Sequence, residues 1–439
     1  MTYFSYASSK LFWLKELIAH RGIGVRWREA LKIEAGTLDD VSYLRDGKLL
    51  LLLQHAIRTV PYYQKWFASH SVDVANVKID DFPIISKSDI RNHEEDFISS
   101  TVPVEGWART SGSTGEPFRF GKTSEENVYT YADLWRGMWR FGIRAGDKRV
   151  LVKGVDETPH LTVFGRFLRF VYGVINRCIV VDAHFLARSE MNVEHELKRI
   201  IAYRPCYLHG YASSIYLLAR YAEDHGIDCS GLNLKAIVTE SEKCHDFQRE
   251  LMERVFNTTV VENYGCVEFG MIAQPAKDGQ LCINEDHVFV EATEEGEAVY
   301  TNLDEYGFPL IRFKNGDMIK IGNPHSELPY RTIAELDGRK TEMIKLPQGG
   351  ALHGFIPMYP VSKHSKWMMA YQIYQPKIDQ LIIRIIPQPQ VVFPNEIRLQ
   401  IVEEMREIVG DIMSIEFEFL DSIPLSKRGK RVFVCSDVK

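Results

Sequence analysis

From residue 124 to about 300 the chain alternates between segments of helical periodicity and short apolar runs, and nothing else in it constrains the fold as tightly. Helical spacing over 211–225 (YASSIYLLARYAEDH) and over 245–256 comes before the runs 235–238 (KAIV) and 258–262 (TTVVE). A one-sided helix followed by a short buried strand, repeated, is the pattern of an α/β layered fold. Between 286 and 336 the texture changes to short alternating strands with turns expected at Glu295-Gly296, Tyr306-Gly307 and Asn315-Gly316, which reads as a mainly antiparallel β region. Asp337-Gly338 then reads as a boundary. Beyond it come strand pairs at 372–375 and 380–386, an amphipathic helix at 395–409 and a strand at 414–420, enough for a small α+β domain. The first hundred residues read as mainly helical: Leu49, Leu52, Leu53, Ala56 and Ile57 recur at helical spacing and the pattern stops at Val60-Pro61.

Composition excludes several classes. The 439 residues are 45% hydrophobic, ample for a sizeable core. The 53 Lys and Arg against 59 Asp and Glu leave a net charge of −6, which argues against a nucleic-acid partner. Seven cysteines are scattered with no CxxC pair, so reduced thiols are the simpler reading. The apolar run 49–53 is far below the roughly 20 residues of a spanning helix. The start carries no secretory pattern, and a cytoplasmic protein is expected. The 14 histidines form no HExxH or other close cluster, against a dedicated transition-metal site, and no GxSxG element is present.

Four stretches carry candidate chemistry. Thr110-Ser-Gly-Ser-Thr-Gly115 is dense in hydroxyls and glycine, so it suits either phosphate oxygens or a flexible turn; it is not a P-loop, because GxxxxGK[ST] is absent. Glu262-Asn-Tyr-Gly-Cys-Val-Glu-Phe-Gly270 follows an expected strand. There an aromatic ring can stack on a base and a carboxylate can ligate Mg²⁺, or a core tyrosine and a solvated glutamate simply end the strand. Asp317, after Asn315-Gly316, is able to accept two ribose hydroxyls, although Asn-Gly is also a hairpin turn. In the tail Ile423-Pro-Leu-Ser-Lys-Arg-Gly-Lys-Arg431, Gly429-Lys430 either presents one lysine on a loop or belongs to a solvated basic face.

The order of these stretches is more specific than any one of them. A serine/glycine loop, helix–strand repeats, YG-x-x-E, Gly316-Asp317, Gly338-Arg339 and a C-terminal Gly-Lys resemble the adenylate-forming superfamily. Within it they resemble the phenylacetate–CoA ligase family and its capsule-biosynthesis-like branch. Residues 53–67, 209–214 (HGYASS), 236–242 (AIVTESE), 371–375 and 423–434 also look like that branch, and the resemblance spans about 50 to 435.

The resemblance implies a large N-terminal α/β domain with a β subdomain, residues 1–336, and a small mobile α+β lid, residues 337–439. It implies an ATP-dependent, AMP-forming ligase that makes an acyl-adenylate and passes the acyl group to coenzyme A. Transfer to an amine or hydroxyl is the alternative, and a degenerate nucleotide-binding protein or an ADP-releasing phosphotransferase are readings of other classes. By resemblance Thr110, Ser111, Gly112, Ser113, Thr114 and Gly115 hold the β- and γ-phosphates. Ser241 and Glu242 touch adenine, Asn263, Tyr264 and Gly265 flank it, and Glu268 binds Mg²⁺. Asp317 takes the ribose hydroxyls with Arg339 beside it, and Lys430 is carried to the α-phosphate by closure at a hinge near 337–341. Tyr207, His209 and Tyr211 are expected to line an acyl pocket or to be core. One departure stands out: Val267 occupies a position where the family has Ser or Thr, so a hydroxyl is lost.

Overall fold

The computed structural model describes Trp13 and residues 22–70, 76–109, 118–154, 176–186, 190–339, 343–349, 351–353, 355–364, 367–388, 391–423 and 432–438. The described chain before residue 100 is mainly helical, as expected, with helices Ile23–Glu34, Leu38–Thr59, Pro61–His70 and Lys87–Asn92. Thr37 and Asp40 start the second of these with a capping box, each side chain taking the other's backbone N–H at 3.2 and 2.9 Å. Pro61 does more than stop it. Proline at a first helical position lacks only an N–H that has no partner there, so Pro61 opens the next helix directly.

The strands in chain order are β1 (Gly106–Arg109), β2 (Arg119–Lys122), β3 (Arg149–Lys153), β4 (Cys178–Asp182), β5 (Tyr207–Gly210), β6 (Ala236–Glu240), β7 (Val260–Cys266), β8 (Gly270–Pro275), β9 (Leu281–Ile283), β10 (Val288–Ala292), β11 (Glu297–Asn302), β12 (Phe313–Pro324) and β13 (Arg331–Arg339). They continue with β14 (Met343–Lys345), β15 (Ala351–His353), β16 (Met368–Lys377), β17 (Gln380–Pro387), β18 (Ser414–Phe419) and β19 (Val434–Ser436). β1 pairs with β2 alone, and one eleven-stranded sheet runs β10-β11-β12-β13-β9-β8-β7-β6-β5-β3-β4. From β4 to β7 every neighbouring pair is parallel. From β7 outward the pairs are antiparallel; the change of direction comes with β8 at Gly270, before the texture change read near 286, because the strand after β7 turns back on it directly with no crossover helix.

The crossover helices Glu190–Tyr203, Ala212–Asp224 and Asp246–Phe256 cover one face of the parallel strands, where Leu197, Ile215 and Met252 pack on Leu208, Ile237 and Val260. The other face, through Tyr207, Ala236, Val238 and Val261, packs on Trp135 and Met138 of helix Ser124–Arg140. Both faces are buried, as parallel sheets require. A separate four-stranded sheet, β18-β17-β16-β19, has its own core with helix Asn395–Val409, in which Ile373 and Ile383 meet Ile401 and Met405. That helix has the bounds expected from its periodicity. Among the described residues no helix is long and apolar enough to cross a membrane.

Asn315-Gly316 is not a hairpin turn. It lies inside β12, where two steps along β11 (Val299 to Glu297) are matched by four along β12 (Lys314 to Met318). Gly316 has φ 91°, a conformation that glycine tolerates, and the surplus residues form a bulge. Bulges re-aim side chains, and this one carries Asp317.

Candidate active site

β3, β5 and β6 run in register and end together, with Val152 beside Gly210 and Gly210 beside Thr239, while β7 passes Glu240 at Asn263 and runs on to Cys266. Ligands of open α/β sheets bind outside this carboxyl edge. Gly210 makes the edge possible: its φ is 148°, and a β-carbon there would sit 1.9 Å from the Val152 carbonyl oxygen. That oxygen instead accepts the Tyr211 N–H at 3.0 Å, and Tyr211 leads into helix Ala212–Asp224.

Beyond β7 the hydroxyl of Tyr264 donates to Asp317 Oδ2 at 2.7 Å. The side chain of Asn315 donates to the same oxygen at 2.8 Å, and the Asp317 N–H donates back to Asn315 Oδ1 at 2.9 Å. Tyr264 spends its proton on Asp317, so the Tyr300 hydroxyl, 2.5 Å away, donates to Tyr264 in turn. All four residues are buried. Burial, with Asp317 and Tyr300 alongside, raises the Tyr264 phenol well above its ordinary range, so it stays a donor. Two residues that the motifs group separately, Tyr264 and Asp317, are thus bonded to each other. Tyr300 and Asn315 were missed; only the Asn-x-Asp spacing at 315 hinted at the second.

Glu268 lies buried in the turn that joins β7 to β8. The Cys266 thiol rests against it and near Asp317, and burial followed by those carboxylates pushes the thiol well above its usual value. Among the described residues no three His, Cys, Asp or Glu side chains gather as a metal cage. A single carboxylate nevertheless suits Mg²⁺ that arrives on phosphates, because Mg²⁺ keeps phosphate oxygens and water as its other ligands. Val267 beside it is exposed, 38% of its surface being accessible.

A second polar group stands one strand away. His209 Nε2 lies 2.8 Å from Glu240 Oε2, and Lys153 forms an ion pair with the other Glu240 oxygen. Burial alone would raise the Glu240 carboxyl, but His209 and Lys153 together hold it well below the carboxylate range. Folding therefore favours the ionised form. Its contribution is complete above the ordinary value of 4.5 and is lost as pH falls through the lowered folded value. Below 4.5 the unfolded chain takes up a proton that the folded chain refuses. Denaturant melts between about pH 5 and 3 should therefore show stability falling less steeply in Glu240→Gln than in the parent; equal slopes would contradict the pairing.

The remaining expected residues divide. Ser241 follows β6 with φ 70°, exposed. Glu242 accepts the Ser213 N–H at 3.0 Å, so its carboxylate lies at the N-terminus of helix Ala212–Asp224, where the dipole favours it. Tyr207 does not join them. It begins β5 and packs in the core, beside Arg149 in register, because strand period two sets it on the His209 face but two residues below the edge. Its phenol is pushed up to about 12 by burial. Arg339 ends β13 opposite Asp317 in the backbone ladder. Thr110, Ser111, Gly112, Ser113, Thr114, Gly115 and Lys430 lie outside the described residues. Their neighbours do not: Arg109 pairs with Arg119, and the Phe433 ring meets His245 edge-on at 5.6 Å. Phe433 also lines a small crevice with Ser213, Tyr216 and Phe247, so the β16–β19 sheet touches the helices that rise from the carboxyl edge.

A cavity of about 1040 Å³ lies elsewhere. It lies along the start of β7 and the 276–281 turn, and none of the expected residues lines it. The strand edge is the chemically furnished site.

Comparison with known proteins bears on this edge. A family model described as the CapK C-terminal domain matches residues 349–437. Protein CapK of Staphylococcus aureus is 26% identical over 385 residues, covering 84% of this chain and 82% of its own. Phenylacetate-coenzyme A ligase of Aromatoleum evansii is 28% identical over 337 residues, covering 71% and 73%. Among solved structures, 2-hydroxyisobutyryl-CoA ligase in the postadenylation state, with R3-HIB-AMP, matches with a TM-score of 0.73 at 17% identity, covering 93% of this chain and 92% of its own.

Proposed function

We propose, from the premise that this chain is a homologue of CapK and of the phenylacetate–CoA ligases on the adenylate-forming ligase fold, that it joins a small carboxylic acid to ATP and passes the acyl group to coenzyme A. A carboxylate oxygen attacks the α-phosphorus and the bond to pyrophosphate breaks, leaving an acyl-adenylate. The thiol then attacks the acyl carbon and AMP departs. Reactants and phosphates are all negative, so the protein's share is positioning and aimed donors.

The bond from Tyr264 to Asp317 carries the reading. A ring beside the base and a carboxylate at the ribose hydroxyls hold each other before the nucleotide arrives, and such preorganisation lowers the cost of binding. On this reading Arg339 stands beside Asp317, and Asn263, Gly265, Ser241 and Glu242 frame the adenine. The hydroxyl loop 110–115 takes the outer phosphates, and Glu268 would hold Mg²⁺, which neutralises phosphate charge when bound. Residues 1–336 act as the body and 337–439 as the lid that brings Lys430, in a cytoplasmic protein. The names of the ligase relatives support coenzyme A as acceptor.

Asp317→Ala removes an acceptor that the Tyr264 proton and a ribose both need. It should raise the Kd for ATP by about 10-fold or more, the worth of a charged hydrogen bond. Calorimetry with ATP, together with an assay for AMP against ADP, tests the reading. No ATP binding by the parent protein, or ADP as product, would sink it. ATP binding without pyrophosphate release across a broad panel of acids would favour the degenerate protein that the exposed Val267 brings to mind.

A further inference from the structure

Helix Leu38–Thr59 is held to the rest of the chain along one side. Arg45 donates to Glu285 at 2.7 Å, Lys48 reaches the Asp286 carbonyl and Asp304, and Leu52, Leu53 and Ala56 pack in the core. On its other side Tyr43 is 85% exposed, Leu50 48% and Leu51 60%. At 3.6 residues per turn, positions 39, 43, 47, 50, 51, 54 and 58 fall on one stripe about 120° wide. Exposed leucines scattered singly are ordinary, but three large apolar side chains in one stripe of one rigidly held helix form a patch.

Gly47 lies in the middle of that stripe and is exposed. Glycine inside a helix costs about 0.8–1 kcal/mol relative to alanine. Nothing within the chain calls for it: no atom comes within 4 Å of where its β-carbon would stand, and its φ is not positive. What the missing side chain does provide is a notch on the outer surface, flanked by Tyr43, Leu50 and Leu51 at helical spacing. The two ends of the stripe carry opposite charge. Asp39 is exposed in the first turn and Arg58 in the last, and neither forms an ion pair among the described residues.

We propose that this stripe seats a second copy of the same chain, the two helices packing antiparallel about a two-fold axis near their midpoints. In that register each Leu50 enters the notch at the partner's Gly47, and each Asp39 lies level with the partner's Arg58. A stripe that is acidic at one end, basic at the other and apolar between them is complementary to its own reversed copy, which is the isologous contact of a two-fold dimer. A site for an unrelated protein needs complementarity to that protein and none to itself. The helix has 22 residues and is about 33 Å long, so one pair of them is a small interface, and micromolar association is expected. The contact uses no residue of the strand edge, so it stands or falls apart from the ligase reading.

Sedimentation velocity on the full chain between about 1 and 100 µM, a range that spans a micromolar Kd, should show a monomer–dimer equilibrium. Leu51→Arg should leave the chain monomeric throughout. Gly47→Gln installs a better helix former in the notch, so the melting temperature should hold or rise while the dimer weakens by about 10-fold or more. A purely structural role for Gly47 would not separate the two readouts in this way. Charge reversal tests the register. Asp39→Arg and Arg58→Asp should each self-associate about 10-fold more weakly than the parent, and an equimolar mixture should recover a heterodimer, because both end pairs are then opposite in sign. Circular dichroism melts check that each variant is folded. A parent that stays monomeric at the highest concentration overturns the inference. So does a dimer indifferent to Leu51→Arg and Gly47→Gln, or a mixture of the charge variants that associates no better than its components.

Discussion

Lys430→Ala should lower the rate of acyl-adenylate formation by about 10²- to 10³-fold, the usual cost of removing one charge-stabilising donor from a transition state. The Kd for ATP should change little. The residue's own role comes from the sequence resemblance, but its surroundings are structural. Ile423 before it is buried, and after it the Val432 carbonyl accepts the side-chain N–H of Gln372 at 2.9 Å while Phe433 meets His245. His245 caps helix Asp246–Phe256, which follows Glu240, Ser241 and Glu242 at the strand edge. ATP–pyrophosphate exchange reads the chemical step and calorimetry reads binding. Full exchange activity in the variant, or a loss matched by Lys427→Ala, would remove Lys430 from the reaction.

Arg136→Met should cost about 3–5 kcal/mol of stability, the penalty for stranding a buried charge network. The guanidinium is wholly buried. Its Nη1 donates to Asp286 Oδ1 and Oδ2 at 2.9 and 3.0 Å and to the Tyr330 hydroxyl at 2.8 Å, and Nη2 lies 2.9 Å from Asp133. Lys48 closes the group by donating to the Asp286 carbonyl and to Asp304 at 2.7 and 2.8 Å. Burial lifts the Asp133 carboxyl to about 6 even with Arg136 beside it. Without the arginine, two carboxylates remain in the interior with no adequate counter-charge. Guanidinium denaturation followed by circular dichroism measures the loss, and adding Asp286→Asn should restore part of it, because contacting residues are not additive. A cost below about 1 kcal/mol would mean that water reaches this group. The same helix carries Trp135 and Met138 against Tyr207, Val238 and Val261 of the sheet.

The readability of this chain followed the range of the forces involved. Helix Asn395–Val409 and the helix–strand repeats were legible because an amphipathic stripe or a buried run is written in contiguous residues. Asn315-Gly316 misled for the same reason. The dipeptide's local preference is a turn, but pairing with β11 and β13 on either side kept it within β12 and turned it into a bulge. Tyr207 was grouped with His209 and Tyr211 by proximity in sequence, and strand geometry separates it from them.

Local order alone therefore determined the layered α/β class, the switch to antiparallel strands and the identity of the Tyr264, Glu268 and Asp317 motifs, since each depends on residues within a few positions of one another. Tertiary structure alone decided that Tyr264 bonds to Asp317 across 53 positions, that Glu240 takes both His209 and Lys153, and that Arg136 anchors the distant Asp286 and Tyr330. Those pairings arise from which strands lie side by side and how their registers align, and no local pattern records a register between segments that the chain brings together only on folding.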